Sequence, residues 1–386
     1  MLRTETSLLA ITIALVEFVH GALLFVLLPT MLTQRFGWAM GTTGAAVSTY
    51  FFTEVALKLL AGWMVDRFGT RKMLLWGFWL YAAAYTALLQ SRTTWEVFVA
   101  LAVMGAGASP LWPAALTRLT HRAGAGAGVG GMLGRVFSTW FLGAGAGVGL
   151  ATLISRAAHP VSLGVFLLPL LGAALLGLRL PNGADRRKTS ASPDPWRLIR
   201  LMVRSLTMLA SSLIPQILAV GVLIPIVVPY LEIVRGLDER ELFLLLLLGP
   251  GTALALMAPA GRIGDRVGRR PTYAIGLGSV ALLLLILPLC HSLWALVLDF
   301  IGIGIGYAFV LPAWNSILLH LLPDDVRGAG LGVAMTIEGM GGVIGPLVGG
   351  FLWQWSNPSS PFYLSGGLLL LAAGASARWR VEALEA

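Results

Sequence analysis

Gly62 to Lys72 reads GWMVDRFGTRK, and Gly261 to Pro271 reads GRIGDRVGRRP. Gly62 answers to Gly261. Asp66 and Asp265, Arg67 and Arg266, Gly69 and Gly268, and Arg71 and Arg270 are each 199 positions apart, about half of the 386-residue chain. A match at that distance marks an internal repeat, so the two halves share one plan. Each copy lies between two apolar stretches. The expected reading is a helix that ends, a tight turn at glycine, where a side chain would disfavour the backbone angles, and a second helix leaving at once. The arginines hold such a turn at a polar, anionic membrane face.

Composition agrees. Hydrophobic residues make up 57% of the chain, charged ones 12%, and the mean hydropathy is +0.83. A soluble domain carries about 25% charge, so the chain reads as a polytopic membrane protein. The net charge of +9 does not point to nucleic acid, because the basic residues are scattered through short connections. Cys290 is the single cysteine, which excludes an intrachain disulfide and a cysteine-rich metal site. No cofactor is implied. The apolar run 8–29 exceeds a signal-peptide core and reads as a retained first helix.

About 20 apolar residues cross a bilayer. On that measure twelve spans are expected, near 8–33, 42–64, 72–90, 94–118, 130–154 and 161–180, then 206–231, 241–261, 271–290, 293–320, 329–353 and 362–379. The fold class is an all-α membrane protein of two six-helix pseudo-repeats, 1–180 and 206–386, joined by a polar linker, 181–205. Of the 27 Lys and Arg, all but Arg35, Arg92, Arg156, Arg235, Arg240 and the intraspan Lys58 fall on one side of this layout. The positive-inside rule makes that side cytoplasmic, with both termini. The glycines inside the spans suit close helix packing in lipid.

The doubled pattern G-x-x-x-D-R-x-G-x-R resembles the signature loop of the major facilitator superfamily of transporters. Further repeats extend the likeness over nearly the whole chain: Gly21 and Pro29 with Gly221 and Pro229, and Gly105, Gly107 and Pro113 with Gly304, Gly306 and Pro312. By that analogy a cargo site lies near the bilayer midplane.

Ionisable residues inside spans are costly and mark pathways for ions or cargo. Glu17 and His20 stand three apart on the first span, and Glu54 and Lys58 four apart on the second, so each pair shares a helix face. Burial opposes the charge of such groups and the partner favours it, which suits a proton relay. Two static ion pairs are the plainer alternative. Trp112 and Trp140 lie within spans four and five, where tryptophan can stack on a sugar and donate its indole N–H, or simply pack. Arg118 reads as a loop anchor. In the second half the candidates are Gln216, Asn315 and Glu338. Asp299, about a turn and a half from a helix end, is expected to reach water.

A closer resemblance rests on EFVHG (17–21), GASPLW (107–112), FSTWFLG (137–143), LPAWN (311–315), IEGMGGVIGPLVGG (337–350) and FYLSG (362–366). These are similar to the lipoteichoic-acid glycolipid-anchor flippases of Gram-positive bacteria. The resemblance implies a proton-coupled antiporter in the plasma membrane. It would move a glycosylated diacylglycerol with a disaccharide head from the inner to the outer leaflet. Glu17 and Glu54 take the carboxylate positions, and Trp112 and Trp140 the sugar-contacting ones. Here His20 stands for an arginine, Glu54 for an aspartate and Glu338 for a glutamine. Protons, membrane lipids and the glycolipid are the expected partners, and the chain is expected to act as a monomer. A multidrug or lysophospholipid carrier is the alternative. An enzyme is not expected, since no H-E-x-x-H or G-x-S-x-G motif occurs.

Overall fold

The computed structural model describes residues 2–123, 129–154, 163–180, 210–321 and 327–379, which are helical and carry no strand. The chain divides into two compact units, Met1–Ser190 and Ala191–Ala386. The first holds α1 (residues 2–35), α2 (Met40–Phe68), α3 (Thr70–Gln90), α4 (Thr94–Arg118), α5 (Val129–Ile154) and α6 (Gly164–Leu178). The second holds α7 (Ala210–Leu223 with Val227–Val234), α8 (Glu239–Val267), α9 (Arg269–Leu289), α10 (Leu293–Leu321), α11 (Arg327–Trp355) and α12 (Ser360–Ala377). The expected linker 181–205 lies outside the described residues.

Among the described residues, α1, α3, α4 and α8 to α12 are long and apolar enough to cross a bilayer, and the bent α7 makes a ninth. α5 and α6 are shorter over their described apolar parts. α2 is continuous for 29 residues but carries Glu54, Lys58, Asp66 and Arg67, and is not among the nine.

The charged motif is less of a loop than its sequence suggests. α2 and α8 run on to Phe68 and Val267, and one glycine separates each from the next helix: Gly69 at φ +90° and Gly268 at φ +109°. Only glycine takes such angles without strain. Arg71 then donates to the carbonyl of Leu178 at 2.6 Å, at the end of α6, and Arg270 to that of Ser376 at 2.9 Å, in the last turn of α12. Carbonyls at a helix C-terminus lack intrahelical donors, and the helix dipole favours a cation there. Asp66 is exposed, and Asp265 lies 3.7 Å from Arg269. Arg118, only 2% exposed, donates to Thr70 Oγ1 at 3.0 Å. It therefore anchors α4 to the first residue of α3.

The opposite ends repeat the device. Gly37 (φ +64°) and Gly236 (φ +67°) follow π-wound turns at Met31–Arg35 and Tyr230–Val234. Beside them Arg35 donates to Leu89 O at 3.4 Å and Arg235 to Pro288 O, both in last-turn positions of α3 and α9. α1 and α7 differ in how they depart from a straight helix. α1 is π-wound over Ala22–Leu27. α7 bends by 50° between Leu223 and Val227, where Pro225 has no N–H to continue the ladder.

Glycine sets the helix spacing. A Cβ on Gly21 would lie 2.6 Å from Ala144 O, and one on Gly143 or Gly147 would overlap the carbonyl of Ala14 or Phe18. α1 and α5 thus touch backbone to backbone. α7 and α11 do the same through Gly221, Gly341, Gly345 and Gly349. Small residues every fourth position allow this approach in lipid. Gly105 meets Tyr50 as Gly304 meets Gly249, and Gly77 meets Gly107 as Gly276 meets Gly306; each contact recurs at the spacing of the charged motif.

Gly147→Ala is expected to cost about 1–3 kcal/mol of stability, the cost of overpacking a tight contact. Gly278→Ala, on α9 with nothing within 4 Å of a new Cβ, is expected to be neutral or to gain up to about 1 kcal/mol. Unfolding of the two variants in detergent checks the contrast.

Candidate substrate and proton site

In the first unit the close contacts place two acidic residues. The α1–α5 contact brackets Glu17, since Ala14, Phe18 and Gly21 all meet α5. The α2–α4 contact abuts Glu54: a Cβ on Gly105 would lie 3.0 Å from its amide nitrogen. Both carboxylates are buried, at 7% and 6% exposure.

Glu17 is held at both oxygens. Oε1 accepts from Trp112 Nε1 at 3.0 Å, and Oε2 lies 3.3 Å from His20 Nδ1. Glu54 Oε1 lies 2.8 Å from Lys58 Nζ. The His20 ring meets Tyr50 at 5.3 Å and Phe51 at 6.2 Å, both on α2. Trp140 meets Trp112 at 6.5 Å, with the rings inclined by 71°. Of the six first-half residues expected to act together, Glu17, His20, Trp112 and Trp140 form one connected group on α1, α4 and α5, and Glu54 and Lys58 form a second pair on α2, one turn from the Tyr50 that meets His20.

The geometry reassigns one role. The indole N–H of Trp112 goes to Glu17, so any sugar contact falls to the ring faces of Trp112 and Trp140. The Glu17–His20 contact can keep a single proton on either side: an acid facing a neutral imidazole, or a carboxylate facing an imidazolium. Both forms leave the pair bonded, which is what a proton-transfer step needs. Tyr50 and Tyr81 were not singled out from sequence. Both are buried, Tyr50 against His20 and Tyr81 against Tyr50, the two tyrosine ring centroids 6.4 Å apart at 85°. Tyr50 stands four residues before Glu54, and that spacing was the available signal.

The second unit holds a separate group. Trp314 Nε1 donates to Glu338 Oε1 at 2.8 Å, linking α10 to α11. Trp314 stacks on Tyr273 at 5.7 Å, and Tyr273 stacks on Trp379 at 5.9 Å. The Tyr273 hydroxyl donates to Gln216 Oε1. Gln216 and Glu338 thus belong to one chain of contacts. Asn315, half-buried beside Trp314, joins none of these hydrogen bonds. Trp314, Tyr273 and Trp379 are the members that were not candidates from sequence. Asp299 does not reach water as expected: it is 4% exposed.

Residues 9–258 and 209–385 match the family model of the Major Facilitator Superfamily. The chain belongs to this superfamily. Among superfamily members, the "Proton-coupled antiporter flippase LtaA" of Staphylococcus aureus strain USA300 is 26% identical over 383 residues, covering 95% of this chain and 92% of the relative. The strain N315 protein is 25% identical over the same span. Two solved structures resemble the whole chain with a TM-score of 0.77 and 15% identity: the nucleoside transporter NupG, covering 96% of this chain and 98% of that one, and a D-xylose-proton symporter, covering 97% of each. They show the superfamily fold. The superfamily consists of membrane transporters.

Removing one partner of a buried ion pair leaves an uncompensated charge, at about 3–5 kcal/mol. Lys58→Met is therefore expected to destabilise the protein by that order. Glu54→Leu added to it is expected to restore most of the loss, because no lone charge remains. Unfolding of single and double variants checks this; a double variant as weak as the two losses combined would refute the pairing.

Proposed function

We propose that this transporter is a proton-coupled antiporter that flips a glycosylated diacylglycerol from the inner to the outer leaflet. The observation that carries the reading is Glu17, held between Trp112 and His20, with a second buried acid, Glu54, paired with Lys58 on α2. One carboxylate there touches both Trp112, whose ring meets Trp140 in a pair suited to a sugar face, and a base able to take its proton. Loading or losing that proton changes what Glu17 offers to Trp112, so protonation and cargo contact share one group.

The relative named a proton-coupled antiporter flippase supports the reading over almost the full length of both chains. The resemblance to glycolipid-anchor flippases supplies the cargo: a disaccharide head for the first half, and acyl chains for a second half rich in Leu, Val and Ile. Glu17, His20, Glu54 and Lys58 form the proton relay in this proposal. Trp112 and Trp140 contact the head, with Gln216, Asn315 and Glu338 as the second half's polar contribution. The proposal includes twelve crossings, with α2, α5 and α6 added to the nine. It also includes a cytoplasmic linker, 181–205, between six-helix bundles 1–180 and 206–386, cytoplasmic termini, a plasma-membrane location and a monomer.

Two outcomes are expected in proteoliposomes with an imposed pH gradient. Glu54→Gln lowers gradient-driven flipping of a headgroup-labelled glycolipid about tenfold or more, with binding of the lipid retained; general acid–base groups contribute about 10²–10⁴ in rate. His20→Arg keeps headgroup binding but flattens the pH profile between about 5.5 and 7.5, because histidine titrates in that range and arginine does not. Unchanged flipping by Glu54→Gln overturns the relay. Transport of lysophospholipid or cationic drugs in place of the glycolipid overturns the cargo.

A further inference from the structure

Gln216 is the one polar side chain in the α7 stretch Leu213 to Leu218. It is half-buried. Its Oε1 accepts the hydroxyl proton of Tyr273, and among the described residues nothing bonds its Nε2. That nitrogen is not enclosed by protein either. An amide within an apolar span is costly unless its N–H groups meet an acceptor, and polar groups in spans face the bundle interior or a cavity. The open side of Gln216 is therefore a place where a ligand can bond.

Tyr273 decides which way the amide is turned. Its ring is fully buried and stacks on both Trp314 and Trp379, so the hydroxyl cannot swing away. Two acceptors stand near that hydroxyl. Ser212 Oγ is 3.5 Å away and sends its own proton to Ala372 O at 2.9 Å. A separation of 3.5 Å lies outside the usual range of an O–H···O bond, so the proton of Tyr273 goes to Gln216. The amide oxygen is thereby spent inside the unit. Its two N–H donors are what remains on the open side.

A fixed donor selects a group that accepts and cannot donate. A sugar hydroxyl does both, and either orientation of the amide would serve it. An ester carbonyl only accepts. In a glycosylated diacylglycerol the ester carbonyls stand where the polar head gives way to the acyl chains. We propose, resting on the glycolipid reading above, that Gln216 donates to an ester carbonyl of the cargo, and that Tyr273 is the positioning residue that keeps the amide turned toward it. The second unit then recognises the chains by their linkage as well as by their apolar surface.

Two synthetic disaccharide lipids test this in proteoliposomes of the full chain with an imposed pH gradient. They share one head and one chain length, but one carries ester-linked and the other ether-linked chains. The ether lipid has no carbonyl and leaves the amide donor unmatched. The unaltered protein is expected to flip the diester about fivefold faster or more at low lipid concentration, since an unsatisfied donor costs more than a hydrogen bond gains. Gln216→Leu is expected to bring the ratio of the two rates close to one, and Tyr273→Phe to place it in between. Lost packing alone would slow both lipids alike and leave the ratio where it was. Equal flipping of the two lipids by the unaltered protein would overturn the ester contact, whether or not the variants fold. A ratio that survives Gln216→Leu would remove Gln216 from it, and one that survives Tyr273→Phe would remove the positioning role. Flipping of neither lipid would overturn the cargo reading, and the contact with it.

Discussion

An acid in the apolar interior of a membrane protein must meet a donor, meet a cation or keep its proton. That constraint organises this molecule. Glu17 meets a donor and a base, Glu54 a cation, and Glu338 the indole of Trp314. Asp299 meets nothing. The four cases form a series of decreasing compensation, and they differ in what a proton does to each. At Glu54 it breaks an ion pair. At Glu17 it can pass to His20 without breaking the contact. At Asp299 it is what makes burial tolerable.

The backbone contacts exist to hold such groups in place. In lipid, helices gain little from apolar surface, so close approach and hydrogen bonding decide which helices touch. Glycine lets α1 lie against α5 and α2 against α4, and those contacts flank Glu17 and Glu54. The arginine staples act at the helix ends. Arg35, Arg71, Arg235 and Arg270 each bind a last-turn carbonyl of a neighbouring helix. Each unit therefore carries the same pinned frame, with a different set of buried groups inside it.

Much of the frame was legible because it repeats. Gly69 with Gly268 and Arg71 with Arg270 stand out at equal spacing, and glycines within apolar spans have few uses besides packing. The arginine targets were not legible: a backbone carbonyl such as Leu178 O leaves no residue signature. Pro225 announces the break in α7, whereas the π-wound stretch of α1 at Ala22–Leu27 contains no proline to announce it. The i, i+3 and i, i+4 pairs were readable because both partners lie on one helix. Trp112 to Glu17 and Trp314 to Glu338 join residues 95 and 24 positions apart, and sequence spacing says nothing of them. Distance from a helix end misplaced Asp299, because rotation about the helix axis, set by contacts such as that of Phe300 with Gly249, decides whether a side chain meets water.

The central claim is that the protons held by these buried acids are exchanged for lipid movement. It is tested most directly by recording lumenal pH, with a trapped dye, in proteoliposomes containing the full chain and glycolipid in one leaflet. The account predicts proton movement opposite to the lipid, starting with glycolipid addition and absent with plain diacylglycerol. Glycolipid that changes leaflet while lumenal pH stays constant would contradict it.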